Sequence, residues 1–322
     1  MTSPTVYDLS VSTLMQPPGH AWRFPSSIQD VIEFALYFDG NKQPVIHDYP
    51  WSIPLIAIPL YWMMIYFGQK IMKNRKPFSL NVALQVWNLL LCVLSVGMFS
   101  GMFFPVLYFW KVNGFYELIC MPNGELYYGF PFFCIWLFAL SKYLELIDTL
   151  FIILRKRHLN FLHWYHHTTV LAYTWFSLVV MTPPGALFGV VNTFVHSIMY
   201  FYFYLTSIGK RPSWGRLVTL IQLTQMLVGI TISSVWTYYF VTGTLCPMDH
   251  PYQYMIFTFL LYASYFALFL HFYLNRYSAA PTKRGDSQAN TPTTPKKDTP
   301  PAKKNTPTQP KKGTPTTRPK KE

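Results

Sequence analysis

The chain has 322 residues, 51% of them hydrophobic and 19% aromatic, and only 12% are charged, about half the share of an ordinary soluble domain. That balance argues against a soluble globular domain, and four cysteines with neither CxxC nor zinc-finger spacing argue against a disulfide or zinc scaffold. The net charge of +13 is uneven: residues 279–322 hold 11 of the 26 Lys/Arg and 3 of the 13 Asp/Glu, so the tail carries +8 and the rest +5.

Residues 1–48 scatter charges and prolines without the basic start and apolar core of a cleavable signal peptide. They read as an N-terminal segment outside the membrane, with the first span acting as the signal. Seven windows follow that are apolar over the roughly 20 residues a span needs, at about 51–68, 80–104, 131–154, 164–182, 186–206, 217–241 and 252–274. The expected fold is therefore an all-α integral membrane protein of seven transmembrane helices over residues 49–278. Basic segments alternate along it: Lys70, Lys73, Arg75 and Lys76 follow the first span, Arg155, Lys156 and Arg157 the third, Lys210, Arg211 and Arg216 the fifth, and Arg276 and the tail the seventh. The intervening loops carry Lys111 alone, so the positive-inside rule places the N-terminus in the lumen and the C-terminus in the cytoplasm.

That topology puts Cys120 and Cys246 on the same oxidising face, after spans two and six, and favours a disulfide between them over two free thiols. Residues 279–322 repeat Thr-Pro units and lysine pairs and hold no apolar side chain larger than alanine, too little to offset the entropy of ordering. The tail is expected to be disordered. A basic arm beside a membrane suits contact with anionic lipid, and a simply solvated tail would look the same.

Four spans carry polar groups. In the third, Lys142, Glu145, Asp148 and Thr149 share one helical face; three charges in hydrocarbon cost roughly 8 to 10 kcal/mol if the insertion costs add. Either a buried ion-pair network fixing helix packing or the wall of a polar cavity would explain them, and the cavity is favoured. The fourth opens with His163, His166 and His167 at i, i+3 and i+4, a stripe suited to metal binding or to a nucleophile with its base. The fifth aligns Asn192, His196 and Tyr200 at four-residue steps, and the sixth sets Thr219, Gln222 and Gln225 three apart, where plain interhelical hydrogen bonding is the simpler reading. Polar faces converging from four spans imply a buried reaction chamber or a transport path.

In order and spacing, KYLELIDT (142–149), HWYHH (163–167), NTFVHSIMY (192–200) and TLIQLTQ (219–225) resemble the motif series of the ELO family of very-long-chain fatty-acid elongases, membrane 3-ketoacyl-CoA synthases of the endoplasmic reticulum. The departures are Phe203 after Tyr202, where the family often has a second tyrosine, and the Thr/Pro/Lys tail. The resemblance implies a six-helix barrel, spans two to seven, around an acyl tunnel open to the cytoplasm, with span one outside. It implies condensation of an acyl-CoA with malonyl-CoA to a 3-oxoacyl-CoA two carbons longer, without metal or redox cofactor. By the same carry-over His166 is the nucleophile that takes the acyl group, assisted by His163, His167 and His196. Lys142, Glu145, Asp148, Asn192, Tyr200, Gln222 and Gln225 are substrate-binding candidates.

Arg155, Lys156, Arg157, Lys210, Arg211 and Arg216 are candidates for the CoA phosphates, although topology signals would look alike. Family members acting on polyunsaturated chains tend to carry Gln five residues before the histidine box; His158 stands there, as in the saturated and monounsaturated group. Implied functional partners are a 3-ketoacyl-CoA reductase, a 3-hydroxyacyl-CoA dehydratase and an enoyl-CoA reductase, and no nucleic acid. The rival readings fit less well: a di-iron desaturase resembles a pattern of about eight histidines in three boxes, a seven-helix receptor has no use for HWYHH, and no paired broken repeats mark a transporter.

Overall fold

The computed structural model describes residues 27–39, 51–120, 126–244, 246–248 and 250–278, all helical or connecting, with no strand among them. The expectations for residues 279–322 and for most of residues 1–48 fall outside the described residues. A short helix, α1 (Ile28–Leu36), opens with a capping box in which Ser27 Oγ accepts from Asp30 N and Asp30 Oδ2 accepts from Ser27 N. It is followed by α2 (Ser52–Met72) and by α3 (Asn81–Asn113), whose 33 residues span about 50 Å, more than the hydrocarbon core requires. Gly114, at φ +89°, ends α3 in a backbone conformation that side-chain-bearing residues rarely adopt.

The elements beyond are α4 (Phe115–Cys120), α5 (Gly129–Leu144), α6 (Leu146–Leu154), α7 (Phe161–Val179), α8 (Gly185–Ser207), α9 (Gly215–Val241) and α10 (Pro251–Tyr273). A π-helical turn over Leu274–Ser278 extends α10. Cys120 and Cys246 are joined by a disulfide that ties the end of α4 to the segment before α10.

Five helices, α2, α3, α8, α9 and α10 with its extension, are long and apolar enough to cross a membrane among the described residues. The third and fourth sequence windows differ. Window 131–154 is divided at Glu145 into α5 and α6, of 16 and 9 residues; the chain stays helical there, but Asp148 N bonds Glu145 O in a tightened turn. The 19-residue α7 replaces apolar positions with three histidines and several threonines. The first is apolar but its two pieces are each too short to span, whereas α7 owes its lower hydropathy to those polar side chains.

The burial pattern of α3 shows the same division of faces. Asn88, Leu91, Cys92, Ser95, Met98, Met102, Val106 and Phe109 are buried at helical spacing, while Val82, Val86, Leu90, Val93 and Phe104 are more than half exposed. An apolar outer face of that kind suits lipid. Helix packing follows an order: α3 against α8, α8 against α9, α9 against α10, α10 against α7, α7 against α5, and α5 back against α3, while α2 lies mainly on α6 and α7. Close approach of α9 to α10 depends on Gly229, where an added Cβ would fall 2.3 Å from Tyr262 Cε1.

Candidate active site

Lys142, Glu145 and Asp148 meet partners on two other helices, α3 and α8. Lys142, 1% exposed, donates to Glu145 Oε1 at 2.7 Å and to Asn192 Oδ1 of α8 at 2.9 Å, and sits 4.7 Å from the Phe138 ring centroid. Glu145 Oε1 is also 3.4 Å from His196 Nδ1. One turn on, Asp148 has a separate set of donors: Trp87 Nε1 of α3 at 2.6 Å and Tyr200 OH of α8 at 2.9 Å. Two carboxylates on adjacent turns are thus held differently, one against a cation and an imidazole, the other by neutral N–H and O–H groups. Without such partners their burial would be prohibitive.

The histidines of α7 are positioned by the start of their own helix. Asn160, its N-cap, accepts from His163 N at 2.9 Å, which sets the register that brings one face inward. The His163 and His167 ring centroids are 4.4 Å apart, and those of His166 and His167 5.5 Å. Tyr265 of α10 lies 4.8 Å from His166, centroid to centroid, and its hydroxyl contacts Thr169 Oγ1 at 2.7 Å and donates to His166 O at 3.2 Å.

These groups wall a cavity of about 340 Å³, lined by Glu145, Asp148, His163, His166, His167, Asn192, His196, Tyr200, Gln222 and Gln225 among others. A second cavity of about 50 Å³ is walled largely by apolar and aromatic side chains such as Phe138, Val170, Phe188 and Leu261. The two share His166, Asn192, Gln225 and Met226. In the wall of the smaller cavity Tyr127 OH donates to Thr182 O at 2.5 Å, and Gly185 leaves room beside that bond. Polar atoms remain without a partner in the larger chamber's wall: Glu145 Oε2 and His167 Nδ1 are buried and unbonded among the described residues. Among those residues no group of three or more His, Cys, Asp or Glu has the geometry to hold a metal ion.

Of the candidates read from sequence, the four histidines and Glu145, Asp148, Asn192, Tyr200, Gln222 and Gln225 come together around one chamber. Lys142 stands behind it, reaching it through Glu145 and Asn192. The six basic candidates do not line either cavity. Arg155 bonds Asn81, Lys156 holds the carbonyls of Lys73 and Arg75, and Arg216 bonds Tyr273 OH. Arg276, in the π-helical turn, is the cation that does line the larger cavity. The residues that sequence reasoning missed are Tyr61, Trp87, Tyr265 and Arg276; the first three are aromatic side chains inside apolar runs, where a phenol or indole N–H gives no signal against its neighbours.

Known sequences resemble this chain over most of its length. The profile of the GNS1/SUR4 family, ELO, matches residues 46–285. The chain is 34% identical over 251 residues to very long chain fatty acid elongase 4 of Trypanosoma cruzi, covering 76% of this chain and 86% of that one. To very long chain fatty acid elongase 6 of Homo sapiens it is 35% identical over 256 residues, 76% and 92% of the two chains, and to elongase 6 of Drosophila melanogaster 36% over 232 residues, 71% and 73%. This chain belongs to the ELO family. The ELO match runs from before α2 to beyond the π-helical turn that carries Arg276, and so covers every residue that lines the two cavities.

Proposed function

We propose that this ELO member is the condensing enzyme of fatty-acid elongation, a 3-oxoacyl-CoA synthase that joins an acyl-CoA to malonyl-CoA with loss of CO2. The observation that carries the reading is the place of His166, on the wall of both a polar chamber and an apolar cavity. A thioester carbonyl beside its ring would direct its acyl chain toward the apolar side and its CoA toward the polar side. The names of the relatives, very long chain fatty acid elongases, agree with it.

A neutral imidazole nitrogen of His166 attacks the thioester carbonyl; the N–C bond forms, the C–S bond breaks, and the departing CoA thiolate takes up the imidazole proton. Malonyl-CoA then enters and loses CO2. The electron pair of the broken C–C bond forms the new C–C bond at the acyl carbon and expels the imidazole, which regains a proton. His196, tied to Glu145, relays that proton from solvent, one being consumed per turnover, and Asn192 or Gln222 donates to the thioester enolate. The scheme is ping-pong, and its atoms balance without a metal or redox cofactor.

The fold that goes with this chemistry is a barrel of spans two to seven around an acyl tunnel, with span one outside. The order of helix packing, which returns to its start and leaves α2 to one side, supports it. The enzyme sits in the endoplasmic reticulum membrane with its N-terminus lumenal and its C-terminus cytoplasmic, and hands a 3-oxo product to a reductase, a dehydratase and a second reductase. Saturated and monounsaturated acyl-CoAs are the preferred class, and Arg276 joins the cations available to CoA phosphates.

Labelled malonyl-CoA, supplied with a panel of acyl-CoAs to membranes carrying the wild type or His166→Ala, tests the proposal. Label in a product two carbons longer, lost in the variant, is the expected outcome. No label from any acyl-CoA with folded protein would overturn it.

A further inference from the structure

One hydrogen-bonded chain enters the site from outside the ring of helices. Tyr61 OH of α2 lies 2.8 Å from Thr149 Oγ1 of α6, and the same oxygen lies 2.9 Å from His163 Nε2. Tyr61 is 3% exposed and Thr149 0%, so bulk water cannot take the place of either partner. Donor bookkeeping gives the chain a direction. Among the described residues Thr149 Oγ1 is the acceptor within reach of the Tyr61 phenol, and a buried phenol proton left unbonded would be costly. Thr149 has one proton of its own. Thr168 and Thr169 spend theirs on carbonyls one turn back, whereas the contact that Thr149 makes besides Tyr61 is His163 Nε2. A ring nitrogen that accepts carries no proton, so neutral His163 bears its proton on Nδ1.

We infer that Tyr61 and Thr149 are positioning residues that fix His163 as its Nδ1–H tautomer, a preset hydrogen-bond donor to a carbonyl or oxyanion of the substrate in the larger cavity. The ring is held on other sides as well, by the Asn160 cap on its backbone N–H and by the His167 ring at 4.4 Å. With Nε2 occupied, His163 is unsuited to act as nucleophile through that atom. Its neighbour Trp62 donates to Thr168 Oγ1 at 3.0 Å, so two consecutive residues of α2 grip the helices that carry the chemistry. The outermost span is then part of the active site's support and more than an anchor. The identity of the substrate oxygen rests on the function proposed above; the tautomer does not.

Three variants of the full-length protein test the inference. Thr149→Val keeps the volume and loses the hydroxyl, Thr149→Ser keeps the hydroxyl and loses a methyl, and Tyr61→Phe removes the first donor. Thr149→Val is expected to lower kcat about 10- to 100-fold, less than removal of a general acid outright, with KM for both CoA substrates nearly unchanged. Thr149→Ser should retain most activity and Tyr61→Phe should fall between. A packing role alone predicts the reverse order, with Val active and Ser impaired, and that order would overturn the inference. In purified, substrate-free protein, ring-¹⁵N spectra of His163, assigned by difference from His163→Gln, should show Nδ1 protonated in the wild type and mixed tautomers in Thr149→Val. An Nδ1–H signal unchanged in Thr149→Val would also overturn it. If no variant or wild type condenses acyl-CoA, the proposed function fails, and the nitrogen spectra still decide the tautomer.

Discussion

On one side of His166 the cavity of about 340 Å³ is walled by carboxylates, imidazoles and amides; on the other, the cavity of about 50 Å³ is walled largely by aromatic and aliphatic side chains. The two sides are held by different forces. At the polar chamber the buried charges are held by named partners, Lys142 between Glu145 and Asn192 and Asp148 between Trp87 and Tyr200, so the loss of one group strands another. The apolar side rests on contact and exclusion, as at Gly229 against Tyr262, and there a change of size matters more than a change of polarity. The comparison predicts that equally small substitutions on the two sides produce failures of different kinds.

The largest effect is expected from Lys142→Met. Truncating one partner of a buried ion pair leaves the other charge uncompensated, at a cost of about 3 to 5 kcal/mol, and among the described residues Glu145 Oε2 is already without a partner. Thermal unfolding in detergent should show a large loss of stability. The double variant Lys142→Met with Glu145→Gln removes both charges and should recover much of it, because the penalty comes from the stranded carboxylate. A double variant no more stable than the single would mean that the network is not held by this pair.

On the apolar side, Gly229→Ala places a Cβ 2.3 Å from the Tyr262 ring, and Tyr262 lines the smaller cavity. Overpacking of this kind costs about 1 to 3 kcal/mol, and the displaced ring narrows the cavity. Under the proposed function, condensation with the longest accepted acyl-CoA should fall several-fold while a shorter one is condensed at nearly the wild-type rate, as read from product chain lengths. Equal loss on all chain lengths would break the assignment of that cavity to the acyl chain.

The same contrast explains what could be read from the sequence. Lys142, Glu145, Asp148 and the histidines stand out because a charge or imidazole within an apolar run is improbable on energetic grounds, and their helical spacing brings them to one face. The interruption at Glu145 is not legible, since its dihedrals remain helical and only hydrogen-bond spacing changes. The apolar cavity is not legible either: Phe138 and Phe188 line it, yet in sequence they are indistinguishable from Phe132, which is buried in the core, or from Phe104, which is exposed on the outer face of α3. Tyr61 and Trp87 escape for a related reason, as their polar atoms matter only once Thr149 and Asp148 lie opposite them. Runs of basic residues are a poor guide to the site, because Arg155 and Lys156 are spent on the segment where α2 gives way to α3.

A smaller effect is expected at Tyr200. Tyr200→Phe removes one of the two donors to Asp148 while Trp87 keeps the other, a loss of about 1 to 2 kcal/mol for a hydrogen bond to a charged or partly charged group. Thermal unfolding should place this variant well above Lys142→Met. A loss as large as that of Lys142→Met would mean that Asp148 and Glu145 act as one network instead of two.

The smallest effect tests where the polar chamber meets solvent. Arg276 lines the larger cavity from the π-helical turn, whereas Lys156, of the same charge, is turned toward the carbonyls of Lys73 and Arg75. If CoA phosphates enter beside Arg276, Arg276→Gln should raise KM for acyl-CoA a few-fold, less than about 1.4 kcal/mol for a tenfold change, and leave kcat in place. A partly hydrated cation contributes only a modest charge-assisted contact. Lys156→Gln should leave KM unchanged and slightly loosen the α2–α3 turn. The reverse pattern, with KM sensitive to Lys156 and not to Arg276, would move the phosphate site to the basic segment after α6 and separate it from the cavity wall on which His166 lies.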